Sequence, residues 1–192
     1  MRGFEPMETP ELIDAILADI GRALRQVDPA QVDDICAAIQ SADRIFITGK
    51  GRSGLQMKAF GMRLMHLGLS VHVVDDVTTP AIGAGDLLLI GSSSGRTGSL
   101  LRYIDTAREA GARLATFTGV MDSPIAAVAA SVAHIPATNF KAGSPSAVDS
   151  VLVMGSLFEH CLGLLCDLIV IRLKAARGMD ESAMNARHAN LE

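Results

Sequence analysis

The sequence predicts an α/β fold: a doubly wound, five-stranded parallel sheet flanked by helices, with helical extensions at its N- and C-terminal ends. Three observations predict it. Five short runs are apolar throughout rather than alternating, as strands buried on both faces must be. Segments with apolar residues at helical spacing separate these runs, the alternation that produces parallel neighbours. Two turns rich in glycine and serine fall where a strand gives way to a helix.

Taken in order, Leu12, Ile13, Ile16, Leu17, Ile20 and Leu24 form a helical stripe over 9–26. Asp28-Pro29 opens a second helix, to about Ile39, with proline at a first-turn position where no N–H is needed. The period then changes. Arg44-Ile45-Phe46-Ile47-Thr48-Gly49 reads as the first strand, followed by Val71–Val74, Leu87–Ile90, Arg113–Phe117 and Val132–Pro136. Helices are expected over 54–67, 97–110 and 124–130, and a long one over 147–176. The chain reads as a single domain over 1–192, with N-terminal helices over 1–40, an α/β core over 41–140 and a C-terminal helix and tail over 141–192.

The composition suits a core-forming chain: of 192 residues, 49% are hydrophobic and 20% charged. That is enough apolar surface to offset the entropy of ordering, so disorder is excluded as the main state. Lys and Arg total 17 against 21 Asp and Glu, a formal charge of −4, which argues against nucleic acid or an anionic membrane as main partner. A small anionic ligand needs only a local patch. The acidic opening stretch has no apolar run and does not read as a signal peptide. The most apolar stretch, 151–173, carries Glu159, His160, Asp167 and Arg172, which a bilayer-spanning helix rarely tolerates. A cytoplasmic protein is expected. Cys36, Cys161 and Cys166 form no CxxC pair, and the last two read as buried free thiols. No spacing suggests a metal site.

The chemistry concentrates in the two turns. One is Gly49-Lys50-Gly51-Arg52-Ser53-Gly54; the other is Gly91-Ser92-Ser93-Ser94-Gly95-Arg96-Thr97. Each aims a helix N-terminus, with its unpaired N–H groups and positive dipole end, at the space above the sheet. Ser92, Ser94 and Thr97 can donate hydroxyl hydrogen bonds to phosphate oxygens, and Lys50, Arg52 and Arg96 can add charge. One such turn alone would read as a helix cap and a bend. Two in one sheet point to a shared anion. Neither is a dinucleotide fingerprint or a P-loop, since the spacing and the GK[ST] triplet are missing.

A strand followed by GxGxS, and another followed by SxSGxT, resembles the sugar isomerase (SIS) domain family of phosphosugar-binding α/β modules. Arg52-Ser53-Gly54, the segment Met62 to Gly68, the loop Thr78-Thr79-Pro80-Ala81-Ile82 and the ending Arg187-His188-Ala189-Asn190-Leu191-Glu192 extend the likeness over almost the whole chain. They are similar to the branch that interconverts 3-hexulose 6-phosphate and fructose 6-phosphate in formaldehyde fixation by the ribulose monophosphate route. The resemblance implies that activity, a tetramer, and no cofactor. It also implies that Ser92, Ser94 and Thr97 hold the phosphate while Gly51 and Ser53 line the sugar side. Arg96 departs from the family, which often has an acidic residue there.

Moving a carbonyl from C3 to C2 requires a base that shuttles one proton through a cis-enediolate, and a donor for the developing oxyanion. Glu159 is the first candidate base, because a carboxylate in an apolar helix is costly without a role and burial suits it to work near neutral pH. Its alternative is a buried carboxylate paired to an arginine in a subunit contact. His188 is the second candidate, as acid or polar donor, with a loose tail as the alternative and docking into a neighbouring subunit's site as the functional reading. His66 reads as a packed histidine, His160 points elsewhere on its helix from Glu159, and Lys141 reads as a solvated loop residue. The apolar stretch 151–173 implies burial against partner subunits, hence a homo-oligomer. Two alternatives are an isomerase of another phosphosugar and a non-catalytic phosphosugar-sensing module.

Overall fold

The computed structural model describes residues 7–137 and 148–191, and the expected α/β fold is found in them. The order is α1 (Thr9–Leu24), α2 (Pro29–Gln40), β1 (Ile45–Gly49), α3 (Gly51–His66), β2 (Val71–Val73), β3 (Leu87–Ser92), α4 (Gly98–Glu109), β4 (Arg113–Thr118), α5 (Pro124–Val128), β5 (Ser131–His134), α6 (Ser156–Ala176) and α7 (Glu181–Asn185). All pairings are parallel and the strand order is β2-β1-β3-β4-β5. The chain therefore leaves β1 in one direction to form β2 and returns past it to form β3. A crevice opens between β1 and β3 at their carboxyl ends, because the two following helices lie on opposite faces.

Side-chain alternation along the strands builds two cores. Ile45, Ile47, Leu87, Leu89, Ala115 and Phe117 point to the face covered by α1, α2, α3 and α6. Phe46, Leu88, Ile90 and Leu114 point to the other, covered by α4 and α5 through Leu100, Ile104, Ala107 and Ile125. α6 gives Leu157, Phe158, Cys161, Leu162, Leu165, Cys166 and Ile169 to the first core. Burial there pushes the Cys161 thiol up to about 11, and the Cys166 thiol also upward, so both sit as inert apolar groups. Among the described residues the opposite side of α6 is not covered: Leu164, Leu168 and Ile171 are exposed, as are Ile13 and Leu17 of α1. Among the described residues no helix is long and apolar enough to cross a membrane.

Three boundaries and one helix depart most from the sequence expectation. α3 begins at Gly51, three residues early, because Gly51 itself turns the chain at φ 58°. The long helix expected from 147 begins only at Ser156, since Met154 and Gly155 are left-handed (φ 59° and 86°) and break any helix before them. β5 ends at His134 rather than Pro136, whose missing N–H cannot extend a ladder. α7 was not anticipated; Asp180 caps it by accepting a hydrogen bond from Ala183 N at 2.8 Å.

At the amino edge of the sheet, Asp86 is buried and accepts from Arg44 Nη2 (2.6 Å), Arg44 Nε (3.0 Å) and Gly83 N (2.7 Å), tying β1 to β3. The Arg44 hydrogen bond holds the Asp86 carboxyl below its ordinary range. A depressed value means the pairing contributes its full stability above the unfolded value near 3.8 and loses it as pH falls through the folded one. Asp86→Ala is expected to cost about 2 kcal/mol, less than a fully buried pair because Arg44 reaches solvent. Asp86→Asn should flatten the loss of stability as pH falls below about 3.8, read from urea unfolding at stepped pH.

Candidate active site

The two glycine-serine turns meet at the crevice. Gly49 and Gly91 are register partners at the carboxyl edges of β1 and β3, and a Cβ on Gly49 would stand 2.9 Å from Gly91 O. The first turn of α3 packs as tightly: a Cβ on Gly54 would lie 2.5 Å from Gly49 O. Only backbone bare of side chains brings β1, β3 and the start of α3 this close. Above them opens a cavity of about 310 Å³, lined by Lys50, Ser53, Ser92, Ser93, Ser94, Thr97, Leu100, Met154 and Glu159, with backbone of Gly91 and Gly155. Its size suits a small ligand.

The second turn is set up as a donor array. Ser92 Oγ accepts from Gly95 N (3.2 Å), and Ser94 Oγ accepts from Arg96 N (3.3 Å), so each hydroxyl keeps its proton to donate. Gly95 makes the turn possible at φ 60°, where a Cβ would meet Ser123 Oγ at 2.1 Å. Thr97 is the N-cap of α4, but its side chain makes no capping bond, which leaves its hydroxyl to the cavity. The first N–H groups of α4 have no partner within the helix and face the same way. This corner can hold a phosphate.

Glu159 faces the cavity from the other side. It lies in the first turn of α6 rather than in mid-helix, as a later helix start requires, and its side chain is 14% exposed. It accepts from Arg52 Nε at 2.6 Å. Its setting is thus a largely buried ion pair at a helix N-terminus. The arginine belongs to the same chain.

Lys50 was named for charge, and the structure gives it company that the sequence did not suggest. Its Nζ donates to Asp75 Oδ2 (2.7 Å) and to Tyr103 Oη (3.1 Å), and Tyr103 Oη donates to Asp75 Oδ1 (2.7 Å). The hydrogen bond to Asp75, then that to Tyr103, holds Lys50 above its ordinary value, while Lys50 holds Asp75 below its own. Lys50 is therefore a fixed cation at the rim. Asp75 sits just beyond β2, and its place at a strand's carboxyl end was the available signal. Leu100 and Met154 carried no signal.

Other predicted site residues lie apart. Gly51 borders a second cavity of about 250 Å³ beside β2, and Arg52 reaches the main cavity only through Glu159. Arg96 donates to Asp122 O at 2.7 Å, away from the phosphate corner. His66 is buried and packed as expected, its ring stacked on His188 at 5.3 Å; burial first, then Arg63 and His188, pulls its pKa down. That contact places His188 at the far end of α3, whose 16 residues span about 24 Å, so it does not meet Glu159 within one chain. His160 does not line the cavity. Lys141 lies outside the described residues. Among the described residues no cluster of three His, Cys, Asp or Glu side chains could hold a metal ion.

Comparison with known proteins agrees with the resemblance read from the turns. A family model described as the SIS domain matches residues 38–160. The 3-hexulose-6-phosphate isomerase of Mycobacterium gastri is 42% identical over 91% of this chain and 86% of its own. That of Bacillus subtilis is 36% identical over 97% of this chain and 100% of its own. A Methanococcus jannaschii crystal structure, from which a molecular function of 3-hexulose-6-phosphate isomerase was inferred, superposes with TM-score 0.81 at 29% identity, covering 95% of this chain and 99% of that one.

Proposed function

The chain belongs to the SIS domain family, and from that premise we propose that it interconverts 3-hexulose 6-phosphate and fructose 6-phosphate. It is an isomerase. The observation that carries the site assignment is that three hydroxyl donors and one carboxylate line opposite walls of the same cavity. Ser92, Ser94 and Thr97, with the N-terminus of α4, bind the phosphate; Ser53 borders the sugar; Glu159 is the base.

The carboxylate of Glu159 takes the proton from C2, the C–H electrons form the C2=C3 double bond, and the C3 carbonyl becomes an enediolate oxygen. The C2 hydroxyl proton passes to that oxygen as the C2 carbonyl forms, and C3 recovers its proton from Glu159. Charge is balanced at each stage. Arg52 sets a cation beside the carboxylate, where it orients the base and favours the oxyanion. Lys50 adds positive potential at the rim.

His188 serves as acid only if a second copy supplies it, given its place at the other end of α3. The exposed apolar residues of α1 and α6 support such an assembly: Ile13, Leu17, Leu164, Leu168 and Ile171 need cover that the described residues of one chain do not give. We take the assembly to be a tetramer, acting in the cytoplasm as the second step of formaldehyde fixation by the ribulose monophosphate route, without a cofactor.

A coupled assay tests the reading: purified protein with 3-hexulose 6-phosphate should form fructose 6-phosphate at enzymic rates. Turnover on a different phosphosugar alone would replace the substrate, and tight binding without turnover would favour a sensing module. For the phosphate corner, Thr97→Val is expected to raise KM about tenfold with kcat little changed, the loss of one hydrogen bond to a charged group. Stability should hold, because the hydroxyl caps nothing.

A further inference from the structure

The cavity wall at Met154 is strained and anchored in a way that phosphate binding and the base do not explain. Met154 sits at φ 59°, a conformation that glycine adopts freely and a methionine does not, and its neighbour Gly155 is left-handed too. The residue is 85% exposed, yet among the described residues it and Leu100 are the two with apolar side chains that line the cavity. The turn that carries it is held from below. Asp19, a buried carboxylate on α1, accepts from Val151 N at 2.8 Å, and Arg22 joins Asp19 (2.6 Å) to Asp149 O (2.9 Å). Ser156 N closes the turn by donating to Val153 O at 3.0 Å. Glu159 follows one turn of helix later.

An exposed apolar side chain in a disfavoured backbone gains most when a ligand covers it. The isomerisation supplies the reason. Between leaving C2 and reaching C3 the proton rests on Glu159, and any water that reaches the carboxyl exchanges it with solvent. We propose that Met154 is the side chain that shields this proton: held by the Asp19–Arg22 anchor, it lies along the carbon skeleton of the bound sugar and keeps water from Glu159. The inference rests on the isomerase reading above.

The test is a reaction in deuterium oxide starting from 3-hexulose 6-phosphate, with fructose 6-phosphate removed irreversibly by phosphorylation at C1, so that each product molecule reports one passage. The ratio of deuterium to protium at C3 of the product is read by mass spectrometry and NMR. Wild type should return a substantial share of protium. Met154→Gly should raise the ratio at least threefold and leave the melting temperature equal or higher, since glycine relieves the backbone. Met154→Leu, which keeps an apolar side chain, should restore the low ratio. A Met154→Gly ratio equal to wild type overturns the shield, as does complete exchange in wild type. A change of oligomeric mass in Met154→Gly with an unchanged ratio also overturns it and makes Met154 a contact between copies. No turnover by wild type would instead overturn the isomerase reading, and the inference with it.

Discussion

Glu159→Gln is expected to lower kcat about 10³-fold, within the usual range for loss of a general base. The amide keeps the size of the carboxyl and its oxygen can still accept from Arg52 Nε, but it cannot take a proton from carbon. The fold should tolerate the change, because the lost ion pair involves an Arg52 side chain that is 59% exposed, and such pairs contribute about 1 kcal/mol or less. Substrate should therefore still bind, with a calorimetric Kd for fructose 6-phosphate within a few-fold of wild type. A kcat within tenfold of wild type would mean that another group moves the proton. Joint loss of binding and of melting temperature would mean that the Arg52–Glu159 pair holds α3 to α6 and does nothing more.

Gly54→Ala is expected to be the most damaging single methyl in the molecule's active region. The new Cβ would stand 2.5 Å from Gly49 O and 2.8 Å from Gly49 C, which are backbone atoms of β1 and cannot rotate away. Either α3 backs off the strand or the turn between them opens, and both displace Ser53 from the cavity and Arg52 from Glu159. At about 3 kcal/mol for an overpacked site with no flexible neighbour, the melting temperature should fall by roughly 6–12 °C for a chain of this length. Activity should fall with it. Gly98→Ala is the control: its Cβ would meet nothing within 4 Å, so its melting temperature should stay within a degree or two of wild type, as differential scanning calorimetry would read.

What the sequence made legible follows from which physics is local. Strand positions were readable because burial on both faces leaves uninterrupted apolar runs, as in Leu87–Ile90. The two turns were readable because glycine and serine at strand ends have few other uses in pairs. Helix boundaries were less so: nothing in Val151–Gly155 distinguishes a helical turn from the left-handed break at Met154, since methionine is a good helix former that tertiary anchoring by Asp19 overrides. The place of Glu159 in its helix differs from the expectation for the same reason, the helix starting nine residues later than its sequence suggests. Asp75 and Tyr103 are far from Lys50 in sequence and meet it because β1 lies between β2, which leads to Asp75, and β3, which leads into α4 and Tyr103. His188 was readable as a group of interest, but its seat against His66 depends on how the tail returns along α3.

A crystal structure of the protein with fructose 6-phosphate bound would weigh the assignment of the two cavity walls most directly. The phosphate is predicted within hydrogen-bonding distance of the Ser92, Ser94 and Thr97 hydroxyls, with C2 and C3 in reach of a Glu159 oxygen and Met154 against the carbon chain. A sugar phosphate seated elsewhere, or one bound there with C2 and C3 turned away from Glu159, would contradict it.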